Sequence, residues 1–162
     1  MYLWIKFLHI LGAFFFVTAH GASVGMALRL PHEKSLERMR ALLDLSQAFF
    51  GVGSAAIGIL FLAGVAGGFA GHYWNRGWIW LSLSLLLAIV VTMALLVTTY
   101  YHRVRKAVGL PYDAKRKPQP AVEPASAADV TALLAQGRPI QLALVGGVGL
   151  ALVVGLMVFK PF

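Results

Sequence analysis

Long apolar segments alternate with shorter polar ones along the chain. Four segments are almost continuously apolar: 3–27, 48–71, 77–101 and 141–159. A helix needs about 20 residues to cross ~30 Å of hydrocarbon. Membrane β-strands are only about 10 residues long and alternate in polarity, so strands do not fit this pattern. The pattern predicts an all-α fold, an integral membrane four-helix bundle formed by residues 1–162 as a single domain.

Composition supports a membrane protein and removes several kinds of chemistry. Hydrophobic residues make up 59% of the chain and charged residues 12%, whereas soluble domains are about half apolar and a quarter charged. Cysteine is absent, which excludes disulfides, thiolate metal sites, iron–sulfur clusters, c-type haem attachment and cysteine nucleophiles.

The positions of Lys and Arg predict the orientation in the membrane. Eleven of the fourteen lie in the loops 28–47 and 102–140, and only Lys6, Arg76 and Lys160 lie on the other side. By the positive-inside rule, both loops are cytoplasmic and both termini face outward across a bacterial-type inner (plasma) membrane. The formal charge of +8 therefore reflects topology and argues against nucleic-acid binding.

The two cytoplasmic loops have their own predicted structure. Residues 33–45 favour a short helix lying along the membrane surface, with Leu and Met on one side. Residues 110–124 contain four prolines and are expected to be extended. Ser126 is typical of a helix start, and Gly137 followed by Pro139 of a stop, which predicts one more short helix.

Histidines are the residues within the spans that could carry chemistry. His9 and His20 are eleven residues apart in the first span, so they share one helix face about 16 Å apart. That separation is too long for one metal ion but suits two sites stacked across the membrane. A neutral imidazole in lipid needs a partner, which is either a polar group on another helix or haem iron.

The pattern accordingly predicts haem b, one or two per chain, with His9 and His20 as iron ligands. Three residues are candidate second ligands, and the sequence does not choose among them. Met93 lies at nearly the depth of His20, His72 follows the second span, and His102 closes the third.

Two stretches resemble a known family. The opening Lys6-Phe7-Leu8-His9-Ile10 resembles the first helix of HemJ-type protoporphyrinogen oxidases and of related CopD-like membrane proteins. The segment from Gly77-Trp78 to Tyr101-His102 is similar to the family's third helix, which also closes on Tyr-His. The resemblance implies a four-helix membrane fold and a haem b ligand at His9. The chain departs from the HemJ pattern at 17–22, which reads Val-Thr-Ala-His-Gly-Ala.

Three functions are consistent with these features. The leading interpretation is a b-type haem-binding membrane protein in electron transfer or a haem-dependent membrane oxidoreductase. The second is a non-catalytic accessory transmembrane subunit of a larger respiratory or photosynthetic complex, because glycine-rich helix faces suit packing against a homo-oligomer or other subunits. The third, a copper permease of the CopD type, follows from the resemblance alone.

Overall fold

The computed structural model describes residues 1–95, 99–114 and 117–162. The fold is all-α apart from one small hairpin of strands β1 (Tyr112–Ala114) and β2 (Lys117–Gln119). The helices are α1 (Tyr2–Arg29), α2 (Leu36–Ala70), α3 (Gly77–Met93), α4 (Thr99–Ala107), α5 (Ala127–Ala135) and α6 (Pro139–Phe159).

Three helical stretches are long and apolar enough to cross a membrane by length and composition: Tyr2–His32, Leu36–Ala70 and Ala127–Phe159, which contains α6. This confirms the multi-pass membrane character expected from the sequence. Helix α3 is apolar but shorter, with 17 residues. The third predicted span, 77–101, includes residues 96–98, which lie outside the described residues.

The long helices associate in pairs through glycines. Helix α1 packs along α2, α3 packs along α6, and α1 also contacts α6. A Cβ on Gly12 of α1 would lie 2.9 Å from the backbone nitrogen of Leu60 on α2, so the two backbones meet there. In the second pair, buried Gly149 of α6 lies against Ile89 of α3. Close approach of backbones at glycine is the usual way in which membrane helices pack.

The separate surface helix predicted over residues 33–45 is wrong. Ser35 caps α2 by accepting a hydrogen bond from the backbone N–H of Arg38, and the helix then continues to Ala70. No Gly or Pro lies between residues 36 and 50, so nothing interrupts the backbone hydrogen bonding at the expected boundary. Met39 and Leu43 are buried in a protein core and do not face a membrane surface.

The two long connections fold together into a compact unit. Its buried side chains, which we call the loop core, are Leu30, Met39, Leu43, Val104, Val108, Val130 and Leu134. Residues 112–114 and 117–119 are extended, as expected from the prolines around them. Helix α5 begins as predicted, because the Ser126 hydroxyl accepts a hydrogen bond from the backbone N–H of Asp129.

Arginine side chains tie the elements of this unit together. The guanidinium of Arg105 donates to the carbonyls of Pro111 at 2.8 Å and Leu43 at 3.1 Å, and to the Asp44 carboxylate at 2.9 Å. Arg40 on α2 donates to the carbonyl of Val108 at 2.7 Å. These bonds fix the end of α4 against the first part of α2.

Candidate functional site

His20 lies where the two helix pairs meet. Its Nε2 atom is buried and has no hydrogen-bond partner within the described residues. Its ring is stacked on Phe16 of the same helix, with centroids 6.2 Å apart and planes at 21°. On the opposite helix, a Cβ on Gly146 would lie only 2.6 Å from this nitrogen. The missing side chain at Gly146 is what lets the imidazole approach α6.

Met93 converges on the same point from α3. Its Cε atom lies 3.1 Å from the position that a Cβ on Gly146 would take. The Nε2 atom of His20 and the Cε atom of Met93 both lie close to this one position, at 2.6 Å and 3.1 Å, so the two side chains are close to each other. The structure thus brings together one pair of the candidate ligands, on α1 and α3, beside a glycine of α6. An imidazole nitrogen and a thioether sulfur are an accepted axial pair for haem iron.

His9 occupies a separate position on α1, against α2. Its Nδ1 lies 3.0 Å from the backbone carbonyl oxygen of Leu60, and because a carbonyl only accepts, Nδ1 carries the proton. Gly64 provides the space, since a Cβ there would lie 3.0 Å from Cε1 of the ring. The remaining nitrogen, Nε2, keeps its lone pair. Metal-bound histidines commonly have this arrangement, although a histidine that only joins two helices has it too.

The other two candidate histidines lie outside the helix pairs. His72 follows α2 in an exposed turn with a positive φ of 54°, which ends the helix. His102 on α4 faces β1, where its Nδ1 accepts from the backbone N–H of Asp113 at 3.2 Å. Its Nε2 lies 3.6 Å from the Asp113 carboxylate. Both ring nitrogens of His102 are thus engaged with one strand residue, an arrangement that favours a structural role.

A cluster of aromatic side chains lies at the end of the helices opposite the loop core. It contains a second buried polar atom without a hydrogen-bond partner among the described residues. The Nε1 atom of Trp74 is buried and has no partner within the described residues. Its indole lies over Gly68, where a Cβ would be 2.9 Å from the ring, and packs on Phe69 and Trp80 at 5.2 and 5.5 Å. Trp74 was not among the candidate residues identified from the sequence. The signal in the sequence for this contact is Gly68, because a helix residue without a side chain leaves room for an aromatic ring.

Tyr73 is the polar centre of this cluster. Its hydroxyl lies 3.3 Å from that of Tyr2, and the Lys160 ammonium lies 4.7 Å above its ring. The hydrogen bond with Tyr2, followed by the positive charge of Lys160, lowers the pKa of Tyr73 below its ordinary value. The arrangement draws the C-terminal segment onto the connection between α2 and α3.

Clustered metal ligands of the usual kind do not occur in the part of the chain that the structure describes: three or more His, Cys, Asp or Glu side chains never come together. The candidate site is therefore the His20–Met93–Gly146 group, with His9 as a second, independent position. Comparisons with protein-family models, curated proteins and solved structures find no match to this chain.

Proposed function

We propose that the chain is a membrane protein that binds haem b, with His20 and Met93 as the iron ligands of one site. The observation that supports this most directly is the buried, unpartnered Nε2 of His20, which shares the space beside Gly146 with the Met93 side chain. A buried polar atom without a partner is costly in an apolar surrounding. A bound iron atom would satisfy the nitrogen, and the thioether would supply the second ligand.

The donor set is one that haem iron accepts, and His20 and Met93 are the residues that would hold it. The flat ring of Phe16 and the bare backbone at Gly146 are suitable neighbours for a planar group. His9 would hold the second haem of the proposal, because its hydrogen bond to Leu60 leaves Nε2 available. The resemblance of the first helix to HemJ-type and CopD-like proteins also assigns a haem ligand to His9.

Bound haem would supply one-electron transfer, which is the basis of the electron-transfer or membrane oxidoreductase role that we propose. The residues of the chain would hold and shield the group. His20 and Met93 would set the iron's ligand field, and the apolar helix faces would keep water away from it. A His/Met pair raises the potential of haem iron relative to more basic ligands.

The decisive experiment is an absorption spectrum of the detergent-purified chain, oxidised and reduced with dithionite, with haem measured per chain. We expect a Soret band and a sharp reduced α-band at about one or two haems per chain. In His20→Ala and Met93→Leu variants the bands of that site should disappear or shift, whereas the exposed His72→Ala variant should match the parent protein. A folded protein without visible bands would refute the proposal.

We also propose the topology of a four-helix inner-membrane protein with both termini outside and the loop core in the cytoplasm. The orientation rests on the eleven-to-three distribution of Lys and Arg. The natural chain has no cysteine, so single-cysteine variants at the exposed positions Asn75 and Ala121 can be labelled without background. Membrane-impermeant maleimide should label Asn75→Cys in intact spheroplasts and Ala121→Cys only after lysis. The reverse pattern would refute the orientation.

A specific observation keeps the accessory-subunit function as the second candidate. Several helix glycines have no atom of the described residues within 4 Å of an added Cβ: Gly21, Gly25, Gly51, Gly58, Gly147 and Gly155. Exposed glycines on membrane helices are typical of surfaces that pack against another helix. Co-purification with a larger complex, together with a fold and assembly indifferent to His20→Ala, would favour this function. The copper-permease candidate has no support beyond the resemblance.

A further inference from the structure

A cavity of about 370 Å³ opens beside the loop core, between α4, the segment that follows β2, and α5. Its volume falls within the ~300–1,000 Å³ of typical ligand pockets. The wall contributed by α4 includes Arg103 and Lys106, and the facing wall includes Val122, Glu123 and Leu133. It is separate from the His20 site, which lies within the apolar helices.

Two exposed cationic side chains line this cavity. Arg103 and Lys106 are three residues apart on α4, and both are exposed. Neither forms an ion pair within the described residues, although the Lys106 ammonium lies 5.6 Å from the centre of the Tyr112 ring. Arg105, between them, is different, because it donates to the carbonyls of Pro111 and Leu43 and to the Asp44 carboxylate. In this turn of α4, Arg105 therefore stabilises the fold, whereas Arg103 and Lys106 line the cavity.

The remaining lining suits an amphiphile more than a free ion. Ala107, Val122 and Leu133 give the cavity an apolar wall, and Glu123 adds one acceptor opposite the cations. Tyr100 and Tyr101 lie one turn earlier on α4, and tyrosine is enriched at the membrane–water interface. In the orientation proposed above, α4 follows the third apolar segment on the cytoplasmic side, so we expect the cavity near the cytoplasmic headgroups, where basic pockets bind anionic lipids.

We propose that this cavity binds the phosphate diester headgroup of an anionic phospholipid. Arg103 and Lys106 would contact the phosphate oxygens, the apolar wall would cover the glycerol end of the acyl chains, and Glu123 would accept from headgroup hydroxyls. The two cations would attract a soluble phosphate as well as a lipid phosphate. The apolar wall distinguishes the two ligands, because it would contact the lipid's acyl chains and a free phosphate has none.

The test measures binding of dioleoyl-phosphatidylglycerol to the full-length, detergent-purified chain in mixed micelles by isothermal titration calorimetry, with dioleoyl-phosphatidylcholine as the neutral comparison. We expect tighter binding of the anionic lipid. The Arg103→Gln/Lys106→Gln double variant should weaken it about thirtyfold, given ~1 kcal/mol for each cation near a lipid surface. Both residues are exposed, so circular dichroism and thermal unfolding should match the parent protein.

The matched control is Lys34→Gln/Arg138→Gln, which removes one Lys and one Arg from the same side of the protein but does not line the cavity. It should bind phosphatidylglycerol within about twofold of the parent protein. Equal loss in the control and the test variant would overturn the proposal, because binding would then follow net charge. Inorganic phosphate that binds without lipid and displaces phosphatidylglycerol at equal concentration would also overturn it in favour of a soluble ligand.

Discussion

The Nε2 atom of His20 lies 2.6 Å from the position that a Cβ on Gly146 would occupy, so this imidazole and the backbone of α6 share one close contact. The contact joins α1 of the first helix pair to α6 of the second. Met93 reaches the same point from α3, and the three helices therefore meet at one residue without a side chain. A side chain added at Gly146 would therefore need the space that His20 and Met93 now occupy.

Gly146→Ala is expected to displace His20 and Met93 and to lower the haem content of the purified protein. The new methyl group would overlap His20 and press tightly on Met93, and overpacking of this kind costs about 1–3 kcal/mol. Gly147→Ala is the control, since no atom of the residues that the structure describes lies within 4 Å of a Cβ there. Haem per chain and thermal unfolding should both be measured. A Gly146→Ala spectrum identical to that of the parent protein would contradict the assignment of this site.

Gly12→Ala should weaken the pairing of α1 with α2. Its Cβ would lie 2.9 Å from the Leu60 nitrogen and 3.2 Å from the Ala56 oxygen, and backbone atoms cannot swing aside as a side chain can. We expect a loss of about 1–3 kcal/mol in the free energy of unfolding, measured in detergent. Gly21→Ala on the same helix faces open space and should leave stability unchanged or slightly higher. Equal effects of the two substitutions would be inconsistent with the helix contact described here.

Arg105→Lys should destabilise the loop core although the charge is kept. The Arg105 side chain is 11% exposed and donates in three directions, to Pro111, Leu43 and Asp44. An ammonium group on a flexible chain cannot reproduce this planar set of donors. The expected loss is about 1–3 kcal/mol in the free energy of unfolding. Arg103→Lys, on the exposed side of α4, should have no measurable effect, and a similar loss there would indicate a general effect of helix composition.

Glu33 should make the turn between α1 and α2 sensitive to acid. Hydrogen bonds from the backbone N–H groups of Lys34 and Ser35, then the charges of Arg38 and Arg29, hold the pKa of Glu33 below its ordinary value of 4.5. A lowered pKa in the folded state stabilises the fold above pH 4.5, and this contribution is lost as the pH falls through the folded-state value.

The measurement is thermal unfolding from pH 7 to pH 3 for the parent protein and Glu33→Gln. The parent protein should be the more stable at neutral pH, and the difference should shrink as the pH falls below about 4.5. The exposed Glu37→Gln variant serves as the control, because Glu37 has no such hydrogen bonds within the described residues. A difference between parent and Glu33→Gln that is constant with pH would show that the carboxylate charge is not the cause.

Much of the fold followed from the chain alone because membrane helices have a strong local signal. The first, second and fourth apolar segments are helices within a few residues of the expected ends, apart from the longer start of α2. That start was missed because Leu36–Leu45 is amphipathic, and an amphipathic helix can face either a membrane or a protein core. The deciding partners, Val104 on α4 and Val108 just after it, lie about sixty residues away in the chain.

The candidate site was predictable only as a set of residue types. Sequence spacing placed His20 and Met93 at similar depth, but the rotation of each helix about its axis was open. The close contact at Gly146, the stacking on Phe16 and the engagement of His102 by Asp113 all depend on how neighbouring helices are turned toward each other. These rotations are set by side-chain packing between helices and have no local signal.

The sequence by itself determined that the chain is apolar and helical, where its long apolar helices lie, and which side chains within them are of a type that can bind a metal. Hydropathy and helix length are properties of continuous segments, so they can be read without knowing the partners. Only the tertiary structure decided that α1 packs along α2 and α3 along α6, that His20 and Met93 meet at Gly146, and that the connections form the loop core. Those outcomes depend on contacts between residues distant in the chain, and such contacts are fixed only when the helices pack.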